Sequence, residues 1–113
     1  MITLGLDVST NVVGYAFVEN KKILDMNFIN IKNYNIYKEK AFHVLECLNE
    51  NPFINKVEKI YVEDNLSGFA GGRTSQQTII KLAKFNAILC FLIEDTFDIE
   101  VKNVNPMTAR KQV

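Results

Sequence analysis

The sequence predicts an α/β domain built on one mixed five-stranded sheet in the order 3-2-1-4-5, its second strand antiparallel, with helices flanking the sheet. Three observations lead there. Three strand-like runs follow one another with no helix between them. Two more strand-like runs then each follow a segment of helical period. The 113 residues are the length of one domain, enough to bury roughly two-thirds of the unfolded surface. A meander followed by strand–helix–strand units requires a mixed sheet, because a crossover helix returns the next strand parallel to an earlier one.

Met1 to Asp7 reads as the first strand, with Ile2, Leu4 and Leu6 on one face and Thr3, Gly5 and Asp7 on the other. Asn11 to Glu19 is the second, and Asn20-Lys21 is a tight turn into the third, Lys22 to Ile31. Tyr37 to Asn49 has helical spacing, with Ala41, Val44, Leu45 and Leu48 on one stripe, and Pro52 ends it. Lys59 to Glu63 is a short fourth strand followed by the glycine-rich loop NLSGFAGGR. The capping-box pattern Thr74-x-x-Gln77 opens a long helix over Ser75 to Asp95. Its apolar residues, from Ile79 to Ile93, surround nearly the whole circumference, so the helix is expected to be mostly buried in the core or a dimer surface. Ile99 to Val104 is the fifth strand, and Asn105-Pro106 looks like an N-cap with proline at the first position of a last helix.

Composition narrows the function classes. Apolar residues make up 48% and charged residues 23%, a globular balance. Thirteen basic and thirteen acidic side chains cancel, so no global field advertises nucleic acid or an anionic membrane, although a local basic face remains compatible with that balance. Cys47 and Cys90 are far apart, in no CxxC arrangement, and read as reduced core residues of a cytoplasmic protein. No apolar run of membrane-spanning length stands out, and no basic leader precedes the first strand.

The chemistry concentrates at two strand ends. Asp7 ends the first strand and is followed at once by Ser9 and Thr10; Glu63 ends the fourth. If those strands are parallel neighbours, their ends lie roughly 5 Å apart. Two carboxylates at one edge repel unless a cation lies between them, which makes Asp7 half of a metal site. Taken singly, each acid is equally a solvated turn or strand terminus. In the glycine-rich loop, backbone N–H groups freed by Gly68, Gly71 and Gly72 can approach a phosphate, with Arg73 pairing to it and Phe69 stacking on a base; the duller reading is a plain connector. Gln77, Lys81 and Lys84 share one face of the long helix, either a solvated face or a DNA-facing strip. Arg110 and Lys111 are open in the same way. His43 reads as a surface or half-buried histidine rather than a ligand, and Asn86 as a buried amide bonding backbone near the site.

GLDVSTNVVGYAFVE, IYVED, GGRTSQQTIIKLAKFNAILCFL and VNPMTARK together resemble the RuvC-like Holliday-junction resolvases of the ribonuclease H superfamily, in their phage and viral form. The first motif is moderately specific; the TSxxTxxxLAKFNA segment followed by ARK is more so. The resemblance spans nearly the whole chain. It implies a ribonuclease H-like fold and a Mg2+- or Mn2+-dependent endonuclease that hydrolyses branched or junction DNA in recombination and repair. It also implies a homodimer, and a cytoplasmic location in a bacterium or a phage-infected host. Asp7 and Glu63 would be two of four carboxylates holding two ions. Ser9, Thr10, Phe69, Gly72, Arg73, Lys81, Lys84, Arg110 and Lys111 are the expected nucleic-acid contacts.

The departure is at the C-terminus. In the family the remaining acids follow the ARK segment, whereas here no acid follows Glu100. Asp64 does not substitute, since neighbouring strand residues point to opposite faces. The sequence is therefore expected to be a C-terminally incomplete nuclease domain, weak or inactive on its own. Two other classes stay open. One is a non-catalytic DNA-binding or assembly domain on the same fold. The other is an actin-like or sugar-kinase-like phosphotransferase, although such a phosphate loop usually carries glycine where Ser9 stands and the two-lobed enzyme needs far more chain.

Overall fold

The structure, a computed structural model, describes residues 1–63 and 75–104. The glycine-rich loop and the expected last helix lie outside the described residues, and with them Asp64, Phe69, Gly72, Arg73, Arg110 and Lys111.

The first strand organises the rest. In β1 (Ile2–Val8), Ile2, Leu4, Leu6 and Val8 are buried, while Asp7 is exposed on the opposite face. β2 (Val12–Glu19) pairs antiparallel with it, setting Leu6 against Tyr15 and Asp7 against Gly14. β3 (Lys22–Asn30) follows a two-residue turn in which Asn20 and Lys21 have φ of 52° and 66°. Positive φ at both central residues is the hairpin turn whose twist matches that of the strands. Asn tolerates this readily; Lys21 accepts some strain to close the meander.

After α1 (Tyr37–Glu50) and a 3₁₀ turn at Ile54–Lys56, β4 (Val57–Glu63) lies parallel to β1, and β5 (Val101–Val104) parallel to β4. The sheet order is β3-β2-β1-β4-β5, as the element pattern predicts. β4 starts two residues before the expected Lys59, because Val57 is buried against the core and pairs with Ile2.

α2 (Gln76–Phe97) differs from expectation in two respects. Its N-cap is Ser75, whose hydroxyl oxygen accepts from the Thr78 N–H at 3.2 Å, one residue after the Thr74 pattern. Its C-terminus runs past Asp95 to Phe97 and is capped by Asp98 in the left-handed region. Val101 N–H then donates to Glu94 Oε2 at 3.0 Å, fixing where β5 begins.

Within this chain α2 is covered along one stripe. Leu82, Phe85, Leu89 and Ile93 form a buried stripe, whereas Ile80 and Phe91 are 51% and 66% exposed. A two-layer arrangement covers a helix on one side only. By length and composition α2 is apolar enough to cross a membrane, but it sits as a core helix, its stripe packed with Ile60, Val62, Val44 and Leu48 in one cluster. Both helices cover the Leu4–Leu6 face of the sheet, and among the described residues nothing packs over the Asp7 face.

Phe85 is fully buried and packs at 5.9 Å, ring to ring, against Tyr37. Phe85→Ala is expected to lower stability by about 3–5 kcal/mol, read by urea unfolding. Phe91→Ala, on the exposed side, should change the stability of the isolated chain by less than about 0.5 kcal/mol.

Candidate functional site

The site is built from the period-2 alternation of β1. Residues that face away from the helices are Gly5 and Asp7 on β1, Gly14 and Ala16 on β2, Met26 and Phe28 on β3, and Tyr61 and Glu63 on β4. They line one trough of about 390 Å³ on the open face. Small residues make its floor and large ones its walls. Nothing would lie within 4 Å of a Cβ placed on Gly5. A Cβ on Gly14 would meet Phe28 Cε1 at 3.2 Å and Asp7 Cβ at 3.8 Å, so glycine lets the Phe28 wall and the Asp7 stem close on the strand.

Asp7 and Glu63 stand together at one end of this trough. The last registered β1–β4 pair is Leu6 with Val62, and each acid is the next residue along. Adjacent strands are about 4.8 Å apart, so the two carboxylates share one edge and one face, Asp7 exposed and Glu63 half-buried. Among the described residues no cluster of three or more His, Cys, Asp or Glu side chains forms. The donor set is oxygen only, which suits a hard divalent cation such as Mg2+ or Mn2+. The residues present fit such an ion as two of its ligands.

The other sequence-predicted residues are placed less uniformly. Ser9 lies in the turn just after β1, but its hydroxyl is committed there: it donates to Val12 O at 2.8 Å and accepts from Val12 N–H at 3.1 Å. Ser9 therefore shapes the strand end. Thr10 is half-buried at the tip, its carbonyl accepting from Lys40 Nζ. Lys81 and Lys84 are exposed. Since β5 is parallel to β4, α2 runs back from the Glu63 edge, and the two lysines lie roughly 8 and 12 Å along its axis from Gln76.

His43 is half-buried, stacked on Tyr34 at 5.0 Å, with Cys47 Sγ 3.7 Å from its Nε2. Asn86 is corrected: it is half-buried and its Oδ1 accepts from the Cys90 thiol at 3.9 Å, a side-chain contact within α2. The sequence reading missed Lys40 and the trough itself. Both had a signal, Lys40 in falling on the Val44–Leu48 stripe and the trough in the small residues Gly5, Gly14 and Ala16 that alternate with core positions.

Two polar features elsewhere are structural. Asn51 Nδ2 donates to Asp25 Oδ2 at 2.8 Å, joining the end of α1 to β3. Burial first, and then the Asp25 charge, pushes the neighbouring Tyr15 phenol up. Burial, helped by the Glu94 charge, pushes the Cys90 thiol up to about 11.

No family model and no curated protein matches the sequence. Solved structures do match the fold. T. thermophilus RuvC in complex with a Holliday junction substrate superposes with a TM-score of 0.72 at 14% identity, over 98% of this chain and 68% of that one. A second Thermus thermophilus RuvC structure gives 0.63 at 16%, over the same shares. An Aquifex aeolicus Ppx/GppA phosphatase gives 0.53 at 15%, over 94% of this chain and 36% of that one. The fold is thus the ribonuclease H-like fold of RuvC, the mixed sheet with helices against it. At these identities the likeness concerns the fold.

The raised Cys90 value has a checkable consequence. A thiol held at about 11 rather than 9.0 carries about 100-fold less thiolate at pH 8, at one decade per pKa unit. Alkylation of Cys90 in the folded chain should therefore be slower than in urea, and should quicken as pH rises toward 11. Equal rates in the two states would contradict it.

Proposed function

We propose that the chain is the sheet-bearing part of a Mg2+- or Mn2+-dependent endonuclease that hydrolyses branched DNA of the Holliday-junction type. The observation that carries this reading is the placement of Asp7 and Glu63 side by side at the ends of two parallel strands, on the open face of the sheet. A fold shared with a resolvase that has been captured on a junction supports it.

In this reading Asp7 and Glu63 are the metal ligands and the catalytic acids. A bound divalent ion supplies charge stabilisation and an activated water. The protein's share is geometric. β1 and β4 hold the two carboxylates at a fixed spacing, and the open face leaves room for a phosphodiester to approach them. In the same reading Ser9, Thr10, Phe69, Gly72, Arg73, Lys81, Lys84, Arg110 and Lys111 are the residues that meet the DNA backbone and bases. In this reading residues 1–113 belong to one nuclease domain. Two symmetric incisions call for a homodimer, and the exposed Phe42, Ile80 and Phe91 offer apolar surface for a second copy.

The test is cleavage of a synthetic four-way junction by the full-length gene product with Mg2+ or Mn2+. Asp7→Asn and Glu63→Gln keep shape and remove charge, so each should leave the melting curve intact and lower cleavage by about a thousand-fold, ~4 kcal/mol at 1.36 kcal/mol per decade. Undiminished cleavage by Asp7→Asn would overturn the assignment. Junction binding without metal-dependent cleavage by the unsubstituted protein would identify a DNA-binding domain instead.

A further inference from the structure

Lys40 stands where the sequence should not put a lysine. It is the fourth residue of α1, near the helix's positive end, where a cation is disfavoured. It is also 7% exposed, the only buried charged side chain among the described residues. Burying an ammonium costs free energy unless its hydrogen bonds are made. Two unfavourable terms at one position mark a residue kept for something other than stability.

The contact it makes shows what that is. Lys40 Nζ donates to the carbonyl of Thr10, in the turn that follows β1. That turn is held at two other points. Ser9 closes it internally on Val12, and the Asn11 carbonyl accepts from Ile31 N–H at 2.9 Å, at the exit of β3. Lys40 supplies the third hold, from the helix layer. Thr10 is three residues from Asp7, and Asp7 is the next-to-last residue of β1. The turn therefore fixes where β1 ends, one residue beyond Asp7.

We propose that Lys40 is a positioning residue, a buried tether from α1 that sets the Asp7 strand end for its divalent ion. The inference rests on the metal-site reading above. Lys40 acts from the helix side of the sheet, opposite the trough, and its effect passes through the backbone of residues 8–10. A methionine of similar length preserves the packing of the stem and removes the donor.

The experiment compares the unsubstituted chain with Lys40→Met, Lys40→Arg and Asp7→Asn. Three readouts are taken: melting temperature without metal, amide hydrogen exchange at Ser9 and Val12, and Mn2+ binding by electron paramagnetic resonance. Lys40→Met is expected to melt at or above the parent temperature, because a buried charge is gone. Its turn amides should exchange faster, and Mn2+ should bind roughly 10–100-fold more weakly, as when an outer-shell partner of a ligand is lost. Lys40→Arg, which keeps a donor, should recover part of the binding.

The proposal is overturned if Lys40→Met binds Mn2+ as the parent does while Asp7→Asn does not. It is equally overturned if the turn amides of Lys40→Met are as protected as in the parent, or if Lys40→Met unfolds and the folded Lys40→Arg binds with parent affinity and protection. If Asp7→Asn binds Mn2+ like the parent, the metal reading fails, and the exchange data alone decide whether the tether exists.

Discussion

The parallel pairing of β1 with β4 is the constraint on which the rest depends. Strands that run the same way end at the same edge, so the register of Leu6 with Val62 brings Asp7 beside Glu63. A slip of one residue would turn one acid into the helix layer and bury it. That slip is opposed by the core. Leu4, Leu6, Ile60 and Val62 are each at most 2% exposed, and displacing them would strand apolar side chains in water while burying carboxylates. The hydrophobic pattern that folds the sheet thus also sets the spacing of the acids.

The same alternation explains the shape of the open face. β1 and β2 carry large apolar residues toward the helices and Gly5, Gly14 and Ala16 toward the trough. A floor of small residues under walls of Phe28, Met26 and Tyr61 leaves room over the sheet at the point where the acids emerge. α1 and its buried Lys40 work from the other layer, on the turn that follows the acid. The candidate centre is therefore held from three directions: by strand register, by the Gly14 approach beneath Asp7, and by the turn.

Much of this was legible in the sequence, because period-2 alternation is strong in β1 and because helices between strands force parallel neighbours. Sheet order and the pairing of Asp7 with Glu63 follow from those two signals. Helix ends were read less well. Thr74 and Ser75 are adjacent and both able to cap, and only the hydrogen bond to Thr78 chooses Ser75. An all-round apolar helix says that cover is needed, without saying where, and within this chain Phe85 and Leu89 are buried while Phe91 is left out. Asn86 was misjudged for the same reason, since its partner, Cys90, lies on its own helix. The turn that Ser9 closes on Val12 went unread, although a hydroxyl two residues after a strand acid commonly does this.

The central claim is that Asp7 and Glu63 hold one divalent ion between them. The most direct test is a crystal structure grown with Mn2+ and measured at the manganese absorption edge. The account predicts an anomalous peak at the Asp7–Glu63 end of the trough, with an oxygen of each carboxylate about 2.0–2.6 Å from it, as hard cations require. Carboxylates more than about 8 Å apart, too far to share an ion at such distances, or a peak bound by neither acid, would contradict it.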